Sequence, residues 1–130
     1  MTIFKQMDNE KHTPQTCNAH INSVKDALYV LSGKWKLPLI VALMNGPMRF
    51  KDIQRSLTDI TPKMLSKELR ELELNHLVER KVFNTVPVTI TYELTSYSKT
   101  VLPILNALGD WGKKHREKLV EERRTDAVEA

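Results

Sequence analysis

Apolar residues recur every three or four positions along most of the chain, which is the spacing of helices with one buried face. The first such stripe, which Gly33 ends, consists of Ile21, Val24, Leu28 and Leu31. The stretch from Trp35 to Met44 is apolar almost all round, as is typical of a helix in the middle of a bundle. Gly46-Pro47 then stops it. The first third of the chain therefore predicts two helices.

A short helix and a longer helix follow, separated by a tight turn. Phe50 to Leu57 places its apolar side chains on one face, and Thr58-Asp59-Ile60 makes the turn. Thr61-Pro62 is a strong start signal, because a threonine side chain caps free backbone N–H groups and proline suits the first helical position. We expect the longer helix to extend to about Asn75.

Two β-rich runs come next, Val78–Phe83 and Val88–Leu94, and the second alternates apolar and polar residues. The linker Asn84–Pro87 joins them as a hairpin. A short helix, a turn, a longer helix and a hairpin is the order of a winged helix-turn-helix. The predicted fold class is therefore mainly α (α+β), with a two-stranded β wing.

A last helix begins at about Ser96, with Thr95 as its cap and Pro103 expected to bend it. Its apolar stripe consists of Val101, Leu105, Leu108 and Trp111. The stretch Lys113–Arg124 holds six basic and three acidic residues. Such a stretch is typical of a solvated helix end, which we favour over a second nucleic-acid site.

The 130 residues fit one compact domain. Residues 1–16 are polar and show no apolar period, so we expect a mobile N-terminal arm. Residues 17–112 form the winged helix-turn-helix domain with its first and last helices, and residues 113–130 form a polar helix end and tail.

Composition narrows the class of protein only mildly. The chain is 41% hydrophobic and 28% charged, with a net charge of +4, which favours polyanionic partners weakly. The single cysteine, Cys17, excludes an intramolecular disulfide, and the residues after Met1 do not have the charged-then-apolar pattern expected of a leader. The longest apolar stretch, Leu37–Met44, is far shorter than the ~20 residues of a membrane span. We expect a cytoplasmic protein without a membrane span.

The basic side chains that could contact a polyanion are grouped on the helix that starts at Thr61. At 100° per residue, its leucines cluster on one side, at Leu65, Leu69 and Leu72. An arc of roughly 100° on the opposite side holds Lys63, Ser66, Lys67 and Arg70. The helix thus presents a cationic strip, because its acidic residues fall outside the centre of that arc, at Glu68, Glu71 and Glu73.

Side-chain chemistry divides the roles on this strip. Arginine makes bidentate contacts with guanine, lysine contacts phosphate or guanine, and serine bonds base edges or phosphate. We therefore assign base contacts to Arg70, Lys67 and Ser66. An ordinary solvated helix face has the same composition. The turn before the helix and the hairpin after it favour the DNA-binding interpretation.

Several short motifs occur in the order of a known family. They are Gly33-Lys34-Trp35, Gly46-Pro47 with Arg49-Phe50, Ile60-Thr61-Pro62-Lys63-Met64-Leu65, Leu77-Val78-Glu79-Arg80, Val86-Pro87, Tyr92-Glu93-Leu94-Thr95 and Trp111-Gly112. On these motifs the chain, from about Cys17 to Trp111, resembles the bacterial HxlR-type helix-turn-helix regulators, relatives of the MarR group.

The resemblance implies a homodimer joined through the first and last helices, which binds a two-fold related double-stranded DNA operator. The helix from Thr61 would read the major groove, and the hairpin between Phe83 and Val88 would touch the adjacent backbone or minor groove. The candidate DNA-binding residues are Arg49, Thr61, Lys63, Ser66, Lys67, Arg70, Arg80 and Lys81.

Three positions depart from the family pattern. Val88-Thr89-Ile90 stands where relatives often have a basic residue, which leaves phosphate contact by the wing to Arg80 and Lys81. A turn glycine is replaced by His76, so Asn75 is the residue expected to adopt the left-handed conformation. A second common glycine is replaced by Ser98, with no evident functional consequence.

Cys17 matches the position of a cysteine that senses electrophiles or oxidants in some relatives. A thiol at a helix N-terminus ionises more easily, which favours such reactivity, but a lone cysteine near an interface is more often a small packed side chain. Cys17 and His20 are spaced like half a metal site, yet a zinc site needs ~four ligands. We therefore expect no metal and no cofactor, and the residues identify no small-molecule effector.

Two other classes of function stay as alternatives. A winged helix that binds only another protein would use the same hairpin and helices. An enzyme is disfavoured, since the chain shows no phosphate-binding glycine loop and no evident catalytic set.

Overall fold

The computed structural model describes residues 14–129 of the chain. Its elements are α1 (Pro14–Leu31), α2 (Lys36–Leu43), α3 (Phe50–Leu57), α4 (Pro62–Leu74), β1 (Val78–Phe83), β2 (Thr89–Leu94), a 3-10 helix (Tyr97–Val101) and α5 (Leu102–Glu129). The two strands form an antiparallel hairpin. The predicted fold class, mainly helical with a two-stranded wing, is confirmed.

The ends of the helices differ from the expected ones mainly towards the two termini. The bounds of α3 agree with the apolar pattern, whereas α1 begins at Pro14 and not near Ile21. Residues 14–16 of the expected arm are thus helical, and residues 1–13 lie outside the described part of the chain. At the other end α5 continues through the polar segment to Glu129.

The core forms where the apolar faces of α2, α3 and α4 meet. Its fully buried apolar side chains are those of Leu39, Ile40, Leu43, Ile53, Leu65, Leu69, Leu72 and Leu77. Burying one such side chain stabilises the fold by about 1.5–3 kcal/mol. Because α4 contributes three of these leucines, packing determines which of its sides faces solvent.

The end of α4 corrects one expectation. His76, and not Asn75, adopts the left-handed conformation, with a φ of 61° against −92° for Asn75. The N–H of Leu77 donates to the carbonyl of Leu72 at 2.9 Å, and the N–H of His76 donates to that of Glu73 at 3.0 Å. This pair of bonds requires a left-handed residue directly after the C-cap, and that position belongs to His76.

Thr95 joins three elements at the base of the wing. Its hydroxyl donates to the carbonyl of His76 at 2.6 Å and accepts from the N–H of Ser98 at 3.2 Å. Thr95 thus makes the bond expected of a cap, although the N-cap position itself is that of Ser96, which makes no such bond. Ser98 is buried, and its hydroxyl donates back to the carbonyl of Thr95 at 2.5 Å. The serine that replaces a common glycine therefore contributes a hydrogen bond of its own.

A backbone bridge attaches the hairpin to the helix-turn-helix. The N–H of Met48 donates to the carbonyl of Tyr92 at 2.9 Å, and the N–H of Tyr92 donates to that of Met48 at 2.8 Å. Because Met48 lies just before α3, the hairpin is tied to the start of the helix-turn-helix. The hydrophobic pattern around Met48 did not predict this contact.

The last helix changes from 3-10 to α geometry at Leu102, directly before Pro103. Pro103 was expected to bend a continuous helix. It lies instead in the first turn of α5, where a residue without an N–H leaves no hydrogen bond unmade.

No helix within residues 14–129 is long and apolar enough to cross a membrane.

The left-handed residue at the end of α4 leads to a stability prediction. We expect His76→Gly to unfold with a free energy about 0.5–1 kcal/mol higher than His76→Ala, because this conformation costs an L-residue roughly 1–2 kcal/mol and glycine loses part of that gain to entropy. The measurement is urea denaturation at one protein concentration. The exposed His76 side chain makes alanine the matched reference. Equal stabilities would show that the turn carries no strain.

Candidate nucleic-acid interface

The start of α4 is held by its own cap. The hydroxyl oxygen of Thr61 accepts a hydrogen bond from the N–H of Met64 at 3.2 Å, and Pro62 occupies the first turn. Thr61 has an extended backbone, with a φ of −78° and a ψ of 154°, as an N-cap residue should. The threonine predicted to contact DNA therefore also determines where α4 begins.

The two sides of α4 separate as expected. Leu65, Leu69 and Leu72 are at most 1% exposed. The opposite side is exposed and carries Lys63, Ser66, Lys67 and Arg70, which we call the cationic face. The structure thus brings together four of the predicted DNA-binding residues, and their contact with DNA stays a prediction.

Lys36, at the start of α2, is a charged residue of this site that the sequence analysis missed. It is only 9% exposed, and its Nζ lies 2.8 Å from Oε2 of Glu68 and 2.5 Å from Oε2 of Glu71. Both glutamates belong to α4, on the flank between the leucines and the cationic face. The available signal was a lone lysine at the start of an otherwise apolar helix.

The contact between Lys36 and the two glutamates shifts the pKa of Lys36 and of Glu71. Burial by itself would lower the pKa of Lys36, but hydrogen bonds to Glu68 and Glu71 outweigh it and raise this pKa. The hydrogen bond with Lys36 lowers the pKa of Glu71, and Lys67 adds a smaller attraction in the same direction. Lys36 and Glu71 are therefore both charged at neutral pH.

The wing presents fewer free charges than α4. Lys81 forms an ion pair with Glu93 of the opposite strand, and the hydrogen bond with that carboxylate raises the pKa of Lys81. Arg80 pairs with Tyr92 in the register, so it lies on the other face of the hairpin. The two basic residues predicted to compensate for the uncharged wing are not brought together.

The tip of the wing is apolar and exposed. Phe83 is 47% exposed, Val88 is 59% exposed, and Val86 is fully exposed. None of these side chains attracts a phosphate.

Arg49 lies directly before α3, where it is exposed and makes no capping hydrogen bond with its side chain. Its neighbour Met48 belongs to the bridge with β2. Arg49 is thus held at the edge where the helix-turn-helix meets the wing.

Cys17 is a free, half-buried thiol in the first turn of α1. In the described part of the chain, no cluster of three or more histidine, cysteine, aspartate or glutamate residues could hold a metal ion.

Comparisons with known proteins agree with this geometry. Residues 30–120 match the model of the HxlR-like helix-turn-helix. The chain is 42% identical over 96 residues to an uncharacterised HTH-type transcriptional regulator of Methanothermobacter thermautotrophicus, and the match covers 74% of this chain and 73% of that protein.

Two solved structures are also similar. The redox regulator HypR in its reduced form has a TM-score of 0.71 and 37% identity, and the match covers 75% of this chain and 96% of HypR. A transcriptional regulator of the MarR family from Enterococcus faecalis V583 has a TM-score of 0.70 and 33% identity, over 87% of this chain and 98% of that one.

Proposed function

Because this chain belongs to the HxlR-like helix-turn-helix family of transcriptional regulators, we propose that it binds a two-fold related DNA operator as a homodimer. The observation that carries the proposal is the cationic face of α4, since a single exposed helix side fits the major groove. A regulator of this kind works on chromosomal DNA, and therefore in the cytoplasm.

Positions along α4 divide the contacts. Ser66, Lys67 and Arg70 lie in the middle of the helix, and we assign them to base edges, where lysine and arginine favour guanine. At the N-terminal end of α4, free backbone N–H groups favour phosphate, so we assign Thr61 and Lys63 to the DNA backbone. Arg49 would extend this phosphate-binding edge toward the wing.

The wing adds less to affinity than α4 in this proposal. Lys81 is already paired with Glu93, so a contact with phosphate would have to replace that ion pair. Arg80 remains for backbone contact, and the apolar tip is left for van der Waals contact with the groove.

Exposed apolar side chains support a dimer through α1 and α5. On α1, Ile21, Val24 and Leu28 are 49%, 43% and 56% exposed. On α5, Leu108 and Trp111 are 50% and 66% exposed. Large contiguous apolar surfaces are uncommon on monomers and mark protein interfaces. A second copy would cover them and place two copies of α4 on one side of the DNA.

A response to oxidants is a second candidate property, favoured by the similarity to the redox regulator HypR. Cys17 is the only cysteine in the chain, so any disulfide must join two molecules. Its place on α1, one of the two proposed dimer helices, would let a change at sulfur alter the dimer. A small packed side chain remains the alternative for this residue.

The first prediction concerns salt. Affinity for operator fragments selected from the parent genome should fall as salt is added. A plot of the logarithm of the binding constant against the logarithm of the salt concentration should have a slope of about −0.9 per neutralised phosphate, because protein binding releases the counterions held by DNA. Lys67→Ala should flatten that slope by roughly one unit. Lys113→Ala, at an exposed lysine of α5, is the control that should leave it unchanged. Binding that does not depend on salt would instead favour a protein-interaction function.

The second prediction concerns the dimer. Trp111→Glu should weaken dimerisation by about 100-fold or more, since each dimer loses two buried aromatic side chains and gains two charges. Sedimentation equilibrium measures the effect. Val86→Glu changes a more exposed apolar residue at the wing tip and should leave the dimer intact. A Trp111→Glu variant that dimerises like the parent would exclude this residue from the interface.

The third prediction concerns Cys17. Diamide takes two electrons and two protons from two thiols, which leaves one disulfide between two chains. We expect this treatment to produce a covalent dimer on a non-reducing gel and to change operator affinity several-fold, by altering the spacing of the two copies of α4. Cys17→Ser should show neither effect. If the treated parent protein binds the operator with unchanged affinity, Cys17 does not control DNA binding and is only a packed side chain.

A further inference from the structure

Lys36 is an unfavourable residue to bury, and its position calls for an explanation. It is 9% exposed and sits on α2, whose other buried residues are Leu39, Ile40 and Leu43. Replacing a buried ion pair by apolar side chains of similar size is often neutral or stabilising. Fastening α2 to α4 would therefore not by itself require a lysine. What an apolar residue cannot do is hold carboxylates.

The carboxylate of Glu71 has a competing partner on its own helix. Lys67 and Glu71 are four residues apart on α4, and side chains at this spacing meet and form ion pairs. Lys67 attracts Glu71 even with Lys36 present. The ion pair that forms, however, joins Glu71 to Lys36 at 2.5 Å. Among the described residues, no carboxylate lies within ion-pair distance of Lys67.

We propose that Lys36 is a positioning residue of the DNA-binding face, which holds Glu71 and Glu68 away from it and so keeps Lys67 available to DNA. This inference rests on the DNA-binding function proposed above. It assigns α2 a part in recognition that is exerted through α4. Without Lys36, Glu71 would form an ion pair with Lys67. One cation of the face would then be neutralised before the protein binds a phosphate or a base.

The acidic residues of α4 differ in whether Lys36 holds them. The helix carries Glu68, Glu71 and Glu73, and the first two are held by one ammonium group. Glu73 has no ion-pair partner within residues 14–129. Glu71 and Glu73 therefore form a matched pair on one helix, one held by Lys36 and one not.

The first test replaces Lys36. We expect Lys36→Met to weaken operator binding about two- to threefold and to flatten its salt dependence by part of the unit expected of Lys67→Ala, because an ion pair between exposed residues four apart on a helix is weak. Lys36→Arg keeps a cation and should keep both quantities. The double variant Lys36→Met with Glu71→Gln should recover the salt slope, because Lys67 is free again. A merely structural role would change the melting temperature and leave the slope unaltered.

A second pair of variants keeps Lys36 in place, so its outcome does not depend on how well Lys36→Met folds. Glu71→Gln should change operator affinity less than about threefold, because its charge is already held. Glu73→Gln should strengthen binding more, because it removes a carboxylate that still repels phosphate. A larger gain from Glu71→Gln than from Glu73→Gln would overturn the proposal.

The DNA-binding function and the positioning role of Lys36 predict different outcomes in these experiments. If Lys67→Ala flattens the salt slope of the parent protein but Lys36→Met does not, Lys36 has no part in positioning the face and the DNA-binding function stands. If the parent protein binds the selected fragments without salt dependence, the DNA-binding function is wrong, and the role of Lys36 falls with it.

Discussion

The burial of three leucines along one side of α4 is the constraint on which the other features depend. Leu65, Leu69 and Leu72 are essentially inaccessible to solvent, and each contributes about 1.5–3 kcal/mol. A helix cannot rotate about its axis without exposing such a face. The direction of every other side chain on α4 is therefore set by the core, and the cationic face lies outward because the leucines lie inward.

The two ends of α4 add a fixed position along the axis to that fixed rotation. Thr61 determines the first turn through its bond to Met64, and the bond from Leu77 to Leu72 closes the last turn. Thr95 then connects the end of α4 to the 3-10 helix that leads into α5. A change in the packing of α5 thus has a short hydrogen-bonded route to the end of α4.

Local physics decides the parts of this structure that the sequence predicted, such as the bounds of α3, the cap at Thr61 and the two sides of α4. The missed features depend on bonds beyond the local pattern. Met48 bridges to a strand far along the chain. Residue preference favoured a left-handed Asn75, but the bonds that close α4 require that conformation at His76, one position later.

The placement of the charged residues on α4 matters more for its surface than the net charge of the helix. Three cations are balanced in number by three glutamates on the same helix, so its net charge does not describe its surface. Periodicity places the three glutamates outside the centre of the cationic face. The ion pairs that hold two of them come from Lys36, a buried residue of another helix, so composition and periodicity could not reveal this contact. Because salt screens partly buried ion pairs less than exposed charges, the pairs of Lys36 with Glu68 and Glu71 should weaken less with salt than the contacts of the exposed cations. The ion pairs of Lys36 thus belong to the packing of α2 against α4, and the exposed cations of α4 are the groups left to contact DNA.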